Sequence, residues 1–265
     1  MDNKLNIWFG RHRAKDKSVK VEPCSNADIN LIHLTEGGRK AAFEDGRSSL
    51  VVTPGLDLVY VARSPFVRVK ETVEQRLLGA GYDLEADNVD IQVAENLGFH
   101  VVQYTPEQMA LYENDPNYLK TFFKEHLFPK AGHNGEKPTA NMAQFVFGTL
   151  DAFVSSYTRA QEALKGGASV NLGIETHSDM IDSAWVGLTG LFFGQRSPLY
   201  AFVNIRNLPE PIKDSEFIKG RAVAGTSDNP LFVFSTRDNG LATTAYLDQL
   251  KQRRDLAYDC TQKFV

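Results

Sequence analysis

The chain has 265 residues, with 29 Lys plus Arg against 33 Asp plus Glu and a formal net charge of −4. That length supports one α/β domain with a full core, or two small domains at most, and the charge excludes a chain-wide basic footprint for duplex nucleic acid. With 23% charged and 42% apolar residues the chain is neither a disordered segment nor a coiled coil. The average hides an asymmetry. Residues 1–20 carry six Lys/Arg against two acids, whereas residues 82–117 carry eight acids and no Lys or Arg. Cys24 and Cys260 are the only cysteines, too few for a disulfide framework or a cysteine-based zinc site. No apolar run approaches the roughly 18 residues of a membrane span. The first apolar run, residues 5–9, is too short for a signal peptide and leads straight into charge. A soluble cytoplasmic protein is expected.

In chain order, residues 5–9 form a first strand that ends at Gly10-Arg11-His12-Arg13. Thr35 caps a helix reaching about Asp45 and closed by Gly46. Residues 57–62 form a second strand. Ser64-Pro65 follows as a helix start, a capping hydroxyl before a first-turn proline. Phe66, Val69, Val73 and Leu77 then recur at helical spacing until Gly79 and Gly81. Residues 89–94 give a third strand. Residues 100–138, with four prolines, read as an insertion holding short helices. Thr139 opens a long helix striped by Met142, Phe145, Val146 and Phe153 and ended by Gly166-Gly167. Residues 168–176 form a fourth strand that delivers His177, and a helix runs from 178 to about 191. Residues 199–205 and 231–235 are later strands and 242–263 a terminal helix, while 206–229 carry no readable pattern. Short apolar runs alternating with helical periods predict a single α/β domain over 1–265. It has three layers, a mainly parallel central sheet with helices on both faces.

In such sheets function gathers at the C-terminal ends of the strands. Three ends carry notable groups: Arg11-His12, Arg63 with the nearby Arg68, and His177. A guanidinium offers a planar fork that matches a phosphate, and an imidazole can act as nucleophile or proton carrier near neutral pH. His12 alone would read as a satisfied strand-end histidine; its company points to an anion site. His33, His100, His126 and His133 lack metal-ligand spacing. Neither a P-loop nor a dinucleotide-binding glycine pattern occurs.

These motifs, in this order, resemble the histidine phosphatase superfamily, the phosphoglycerate mutase-like family. The strand end Arg11-His12-Arg13 is similar to the family's Arg-His-Gly. Leu34-Thr35-Glu36-Gly37-Gly38-Arg39-Lys40-Ala41-Ala42 is similar to its Leu-Thr-x-x-Gly-x-x-x-Ala. Ser64-Pro65-Phe66-Val67-Arg68-Val69-Lys70-Glu71-Thr72 is similar to its Ser-Pro-x-x-Arg-x-x-x-Thr, and Thr176-His177 to its late Thr-His. The resemblance spans residues 7–190 and implies a phosphatase that hydrolyses a phosphomonoester through a phosphohistidine on His12. It implies Arg11 and Arg68 as ligands of the phosphoryl oxygens, with His177 as a further donor. Glu95, in Ala94-Glu95-Asn96-Leu97-Gly98, is the implied general acid and base, with Asp179 as runner-up because Ser178 separates it from His177. Arg63 is a further candidate ligand. Arg13 replaces the family's Gly, either adding a second anion contact or narrowing the pocket, and Ser18 stands where many members carry Asn.

Two other readings stay open. One is a phosphoglycerate or phosphosugar mutase, although Asn-Leu-Gly-Phe after Glu95 lacks the mutases' Arg-His-Tyr-Gly. The other is a non-catalytic member that binds a phospho-ligand or a protein. The implied partner is a small phosphate ester, with no nucleic acid, membrane, metal or organic cofactor; the oligomeric state is not readable.

Overall fold

The computed structural model describes residues 5–16, 18, 32–48, 51–98, 142–190, 217–226, 228–236 and 242–262. The expected insertion at 100–138 and the expected strand at 199–205 lie outside them.

Seven strands form one sheet among these residues: β1 (Leu5–Arg11), β2 (Leu58–Arg63), β3 (Val89–Val93), β4 (Val170–Thr176), β5 (Ile218–Gly225), β6 (Pro230–Thr236) and β7 (Ala242–Tyr246). Their order is β3-β2-β4-β1-β5-β6-β7. The first four run parallel, and β5, β6 and β7 extend the sheet antiparallel from β1. The helices are α1 (Glu36–Arg47), α2 (Val67–Gly79), α3 (Met142–Lys165), α4 (Ser178–Thr189) and α5 (Leu247–Gln262).

Side-chain alternation divides the core into two layers. On β1, Leu5, Ile7 and Phe9 face one side with Leu172 and Ile174 of β4, Phe153 of α3 and Met180 and Trp185 of α4. Phe9, Phe153, Phe232 and Phe234 pack there at centroid separations of 5.4–6.1 Å. Trp8 faces the other side with Val59 and Val61 of β2, Val73 and Leu77 of α2 and Phe217. Helices therefore cover both faces of a sheet whose central parallel strands β1 and β4 are buried, giving the expected three layers.

Thr35 caps α1 as its sequence indicates, its hydroxyl accepting from the Gly38 amide at 2.9 Å. Gly46 does not close that helix. It lies inside it, where α1 crosses α2. A Cβ on Gly46 would sit 1.9 Å from the Arg76 carbonyl oxygen, and one on Gly79 would sit 2.0 Å from that of Phe43. The two glycines let the helix backbones touch. Since the obstruction is backbone, Gly46→Ala is expected to destabilise the domain by about 2 kcal/mol or more. Thermal unfolding should read this as a midpoint lowered by roughly 5 °C or more; an unchanged midpoint would contradict the crossing.

Two further expectations are corrected. Residues 242–246 (Ala-Thr-Thr-Ala-Tyr) are strand β7, paired with β6 from Leu231↔Tyr246 to Ser235↔Ala242, so the terminal helix starts at Leu247. The β-branched Thr243 and Thr244 suit the strand, and pairing with β6 overrides a helical reading. Residues 218–225, which showed no pattern, are β5, the strand that turns the sheet antiparallel beside β1.

Candidate active site

Strands β1 and β4 run level, with Arg11 opposite Thr176. The next residue on each is a histidine, and the His12 amide donates to the Thr176 carbonyl at 3.1 Å. The imidazoles of His12 and His177 therefore meet at adjacent strand ends, ring centroids 5.2 Å apart and edge to face. Helix α2 begins at the neighbouring end of β2 and places Arg68 between them. Arg68 is buried; its Nε donates to His12 Nε2 at 3.3 Å, its Nη2 faces His177 Nδ1 at 3.5 Å, and its guanidinium lies 4.9 Å from the Phe66 ring centre.

These partners fix the tautomer of His12. His12 Nδ1 lies 2.8 Å from the Arg13 carbonyl, which can only accept, so Nδ1 carries the proton. Arg68 Nε can only donate, so His12 Nε2 presents a lone pair. On His177, Nδ1 faces the Arg68 donor at 3.5 Å and Nε2 lies 3.1 Å from the Ser64 hydroxyl. Ser64 was expected to cap α2. It does not, because the helix starts at Val67 after Phe66 with no side-chain cap, and the Ser64 hydroxyl serves His177 instead.

Burial is the main reason that both imidazoles are held well below the ordinary value of 6.5. The charge of Arg68 adds to it, followed by smaller contributions from Arg11 and Lys15. Both rings are thus neutral at pH 7. Below pH 6.5 the unfolded chain takes up protons that the folded site refuses. Stability should therefore be full above pH 6.5 and decline as pH falls, by up to about 1.4 kcal/mol per pH unit for each ring. Chemical denaturation between pH 7 and 5 should show a steeper decline for the wild type than for His12→Ala. Equal slopes would contradict depressed values.

The other expected site residues divide. Arg11 ends β1 beside His12. Arg63 ends β2, half-buried, with Nη1 on the Ser64 carbonyl at 3.0 Å; Asp57 is engaged by the amide and hydroxyl of Ser169. Glu95 is exposed and opens a 3-10 turn (Glu95–Leu97) after β3. That turn is pinned to the site, since Thr176 Oγ1 donates to the Leu97 carbonyl at 3.0 Å and the Ala94 amide donates to Arg63. Asp179 is the second residue of α4. Ser18 donates its amide and hydroxyl to Asp16.

The Arg13 guanidinium grips Asp45 through Nη2–Oδ1 and Nε–Oδ2 (2.7 Å) and lies 5.5 Å from the Phe217 ring centre. His33 is exposed with Nδ1 on Glu71 at 2.8 Å. Glu71 also accepts from Arg39 and from the Leu34 amide, tying the α1 approach to α2.

Sequence reasoning passed over four buried polar residues behind the site: Trp8, Asp45, Arg76 and Glu175. A signal existed for two of them. Arg76 interrupts the apolar stripe of α2 between Val73 and Leu77, and Glu175 is a lone acid in the apolar run of β4. Charge on a buried face requires a partner.

No protein-family model matches the sequence, and no curated protein is similar enough to match. Solved structures do match. A mycobacterial glucosyl-3-phosphoglycerate phosphatase is similar over 82% of this chain and 90% of its own, at 15% identity and a TM-score of 0.50. A protein described as mycobacterial hydrolase 2 is similar over 95% of this chain and 97% of its own, also at 15% identity, with a TM-score of 0.52. At such identity the likeness establishes architecture. The chain has the phosphoglycerate mutase-like α/β fold, with Arg11-His12, Arg68 and His177 gathered where its parallel strands end.

Proposed function

We propose that this protein is a phosphomonoesterase that works through a phosphohistidine on His12. The observation that carries the reading is Arg68 standing between two neutral imidazoles, with His12 Nε2 deprotonated. The His12 Nε2 lone pair attacks phosphorus as the ester P–O bond breaks. Arg11, Arg68 and His177 compensate the charge on the equatorial oxygens. A protonated Glu95 gives its proton to the leaving oxygen. It then takes one from water, whose oxygen attacks phosphorus while the P–N bond breaks, and His12 returns neutral. No step calls for a metal or an organic cofactor, and the implied partner is a small phosphate ester in the cytoplasm. The fold shared with a phosphatase agrees with this reading.

The test is rapid quenching of wild type with a panel of phosphomonoesters. An acid-labile, base-stable phosphoprotein that forms and decays with turnover is expected. Hydrolysis without it, or no hydrolysis across the panel, overturns the reading.

Glu95→Gln and Asp179→Asn separate the two carboxyl candidates. Loss of the proton donor should cost about 10²-fold or more on alkyl phosphates and much less on a nitrophenyl ester, whose leaving group needs no proton. The pattern is expected for Glu95→Gln; its appearance only in Asp179→Asn would move the role to Asp179.

A further inference from the structure

Beneath the two histidines lies a chain of buried charges that the proposed chemistry does not use. Glu175, fully buried two residues before His177, accepts Trp8 Nε1 at 2.7 Å and pairs with Arg76 Nη1. Arg76, 1% exposed, reaches Asp45 Oδ2 from Nη2 at 3.1 Å and from Nε at 3.3 Å, and Nη2 also donates to the Arg11 carbonyl at 3.3 Å. Asp45 in turn grips the Arg13 guanidinium. The Arg13 amide donates to Thr72 Oγ1 at 3.2 Å, and both guanidiniums lie against Phe217. Two cations and two carboxylates alternate. The backbone allows for them: Gly10 pairs in register with Glu175, and a Cβ there would sit 2.6–2.8 Å from the Glu175 carboxylate and Arg76 Nη1.

Such a set is a poor device for stability alone. Desolvating four charges is costly, and apolar side chains of similar volume often stabilise a core as well or better. What the network supplies is fixed geometry, since a guanidinium fork constrains direction as well as distance. It touches both residues that bracket the nucleophile, Arg11 through its carbonyl and Arg13 through its side chain. Arg76 holds the Arg11 carbonyl before His12, Asp45 and Thr72 hold Arg13 after it, and the Arg13 carbonyl receives His12 Nδ1–H.

We propose that the Arg13–Asp45–Arg76–Glu175 network is the positioning frame of His12, fixing the Arg13 peptide so that the imidazole keeps its proton on Nδ1 and presents Nε2. Arg13 is thereby a positioning residue and not a ligand of the substrate. The inference rests on the phosphohistidine reading for its consequence in turnover, but the tautomer of His12 is measurable without turnover.

Asp45→Asn keeps the volume and removes the anion shared by the two guanidiniums; Arg13→Ala, with the side chain at 15% exposure, is the milder partner variant. Both are expected to lower kcat by about tenfold or more, as small misplacements of a reacting group do, with KM within about twofold. Arg13→Lys should recover part of the loss. Nitrogen-15 spectra of the histidine ring should show one Nδ1–H tautomer for wild-type His12 and a tautomer mixture in both variants. An unaltered His12 spectrum in folded Arg13→Ala overturns the proposal. So does a rise in KM at constant kcat confined to substrates with a second anionic group, which would make Arg13 a ligand. Absence of phosphatase activity in the wild type would sink the functional reading alone; the spectra would still decide the frame.

Discussion

His12→Ala is expected to reduce phosphomonoester turnover by about 10³-fold or more, because the proposed phosphohistidine can then no longer form. His177 stands 5.2 Å away, centroid to centroid, with Nδ1 facing the Arg68 donor and Nε2 facing the Ser64 hydroxyl, and in the proposed mechanism it serves as a donor to the phosphoryl oxygens. The variant should remain folded, since the His12 imidazole sits at the strand end and not inside either apolar cluster. It should also fail to form the base-stable phosphoprotein. Steady-state assays with a quenched phosphoprotein measurement check both points, and unchanged turnover would remove His12 from the nucleophile's place.

Arg68→Ala carries the second large effect, and it has two separable parts. A guanidinium at the transferring phosphoryl group is worth about 10²–10³-fold in kcat, comparable with loss of an oxyanion-hole donor. The same charge also helps hold both imidazoles low, second only to burial. Removing a cation favours the protonated rings, so their values should rise. The neutral nucleophile is then lost at higher pH, and the acid limb of kcat/KM should move upward. Arg68→Lys separates the parts. It keeps a charge while losing the fork, so kcat should fall with the acid limb nearly unmoved. Profiles of kcat/KM from pH 4 to 9 for the three proteins measure this. An acid limb that stays put in Arg68→Ala would show that its charge does not act on His12.

The order of the candidate strand ends was legible because each rests on local chemistry. Arg11-His12 follows an apolar run, Thr176-His177 follows another, and Arg68 falls in the first turn of a helix opened by Ser64-Pro65. Strand and helix periods are local properties, so β1, β2, β3, β4 and α1 to α4 emerge from them nearly at their observed bounds. Strands β5 and β7 did not emerge, because Ile218–Gly225 becomes a strand through antiparallel pairing with β1, far away in the chain, and Ala242–Tyr246 through antiparallel pairing with β6.

Side-chain allegiance was the part that sequence could not assign. Arg13 and Arg68 both stand close to His12 along the chain or across the strand ends, yet one turns to Asp45 and the other to the imidazoles. Ser64 looks like a helix cap and proves to be a partner of His177. Asp45, Arg76 and Glu175 come from α1, α2 and β4, separated by up to 130 positions, and meet only because the sheet places β4 between β1 and β2. By itself the sequence determined the layered α/β fold and the residue types at its strand ends, since local periodicity and strand termini encode both. Only the tertiary structure decided which guanidinium lies between the two imidazoles and which pairs with Asp45, because a buried charge takes the partner that packing brings within reach.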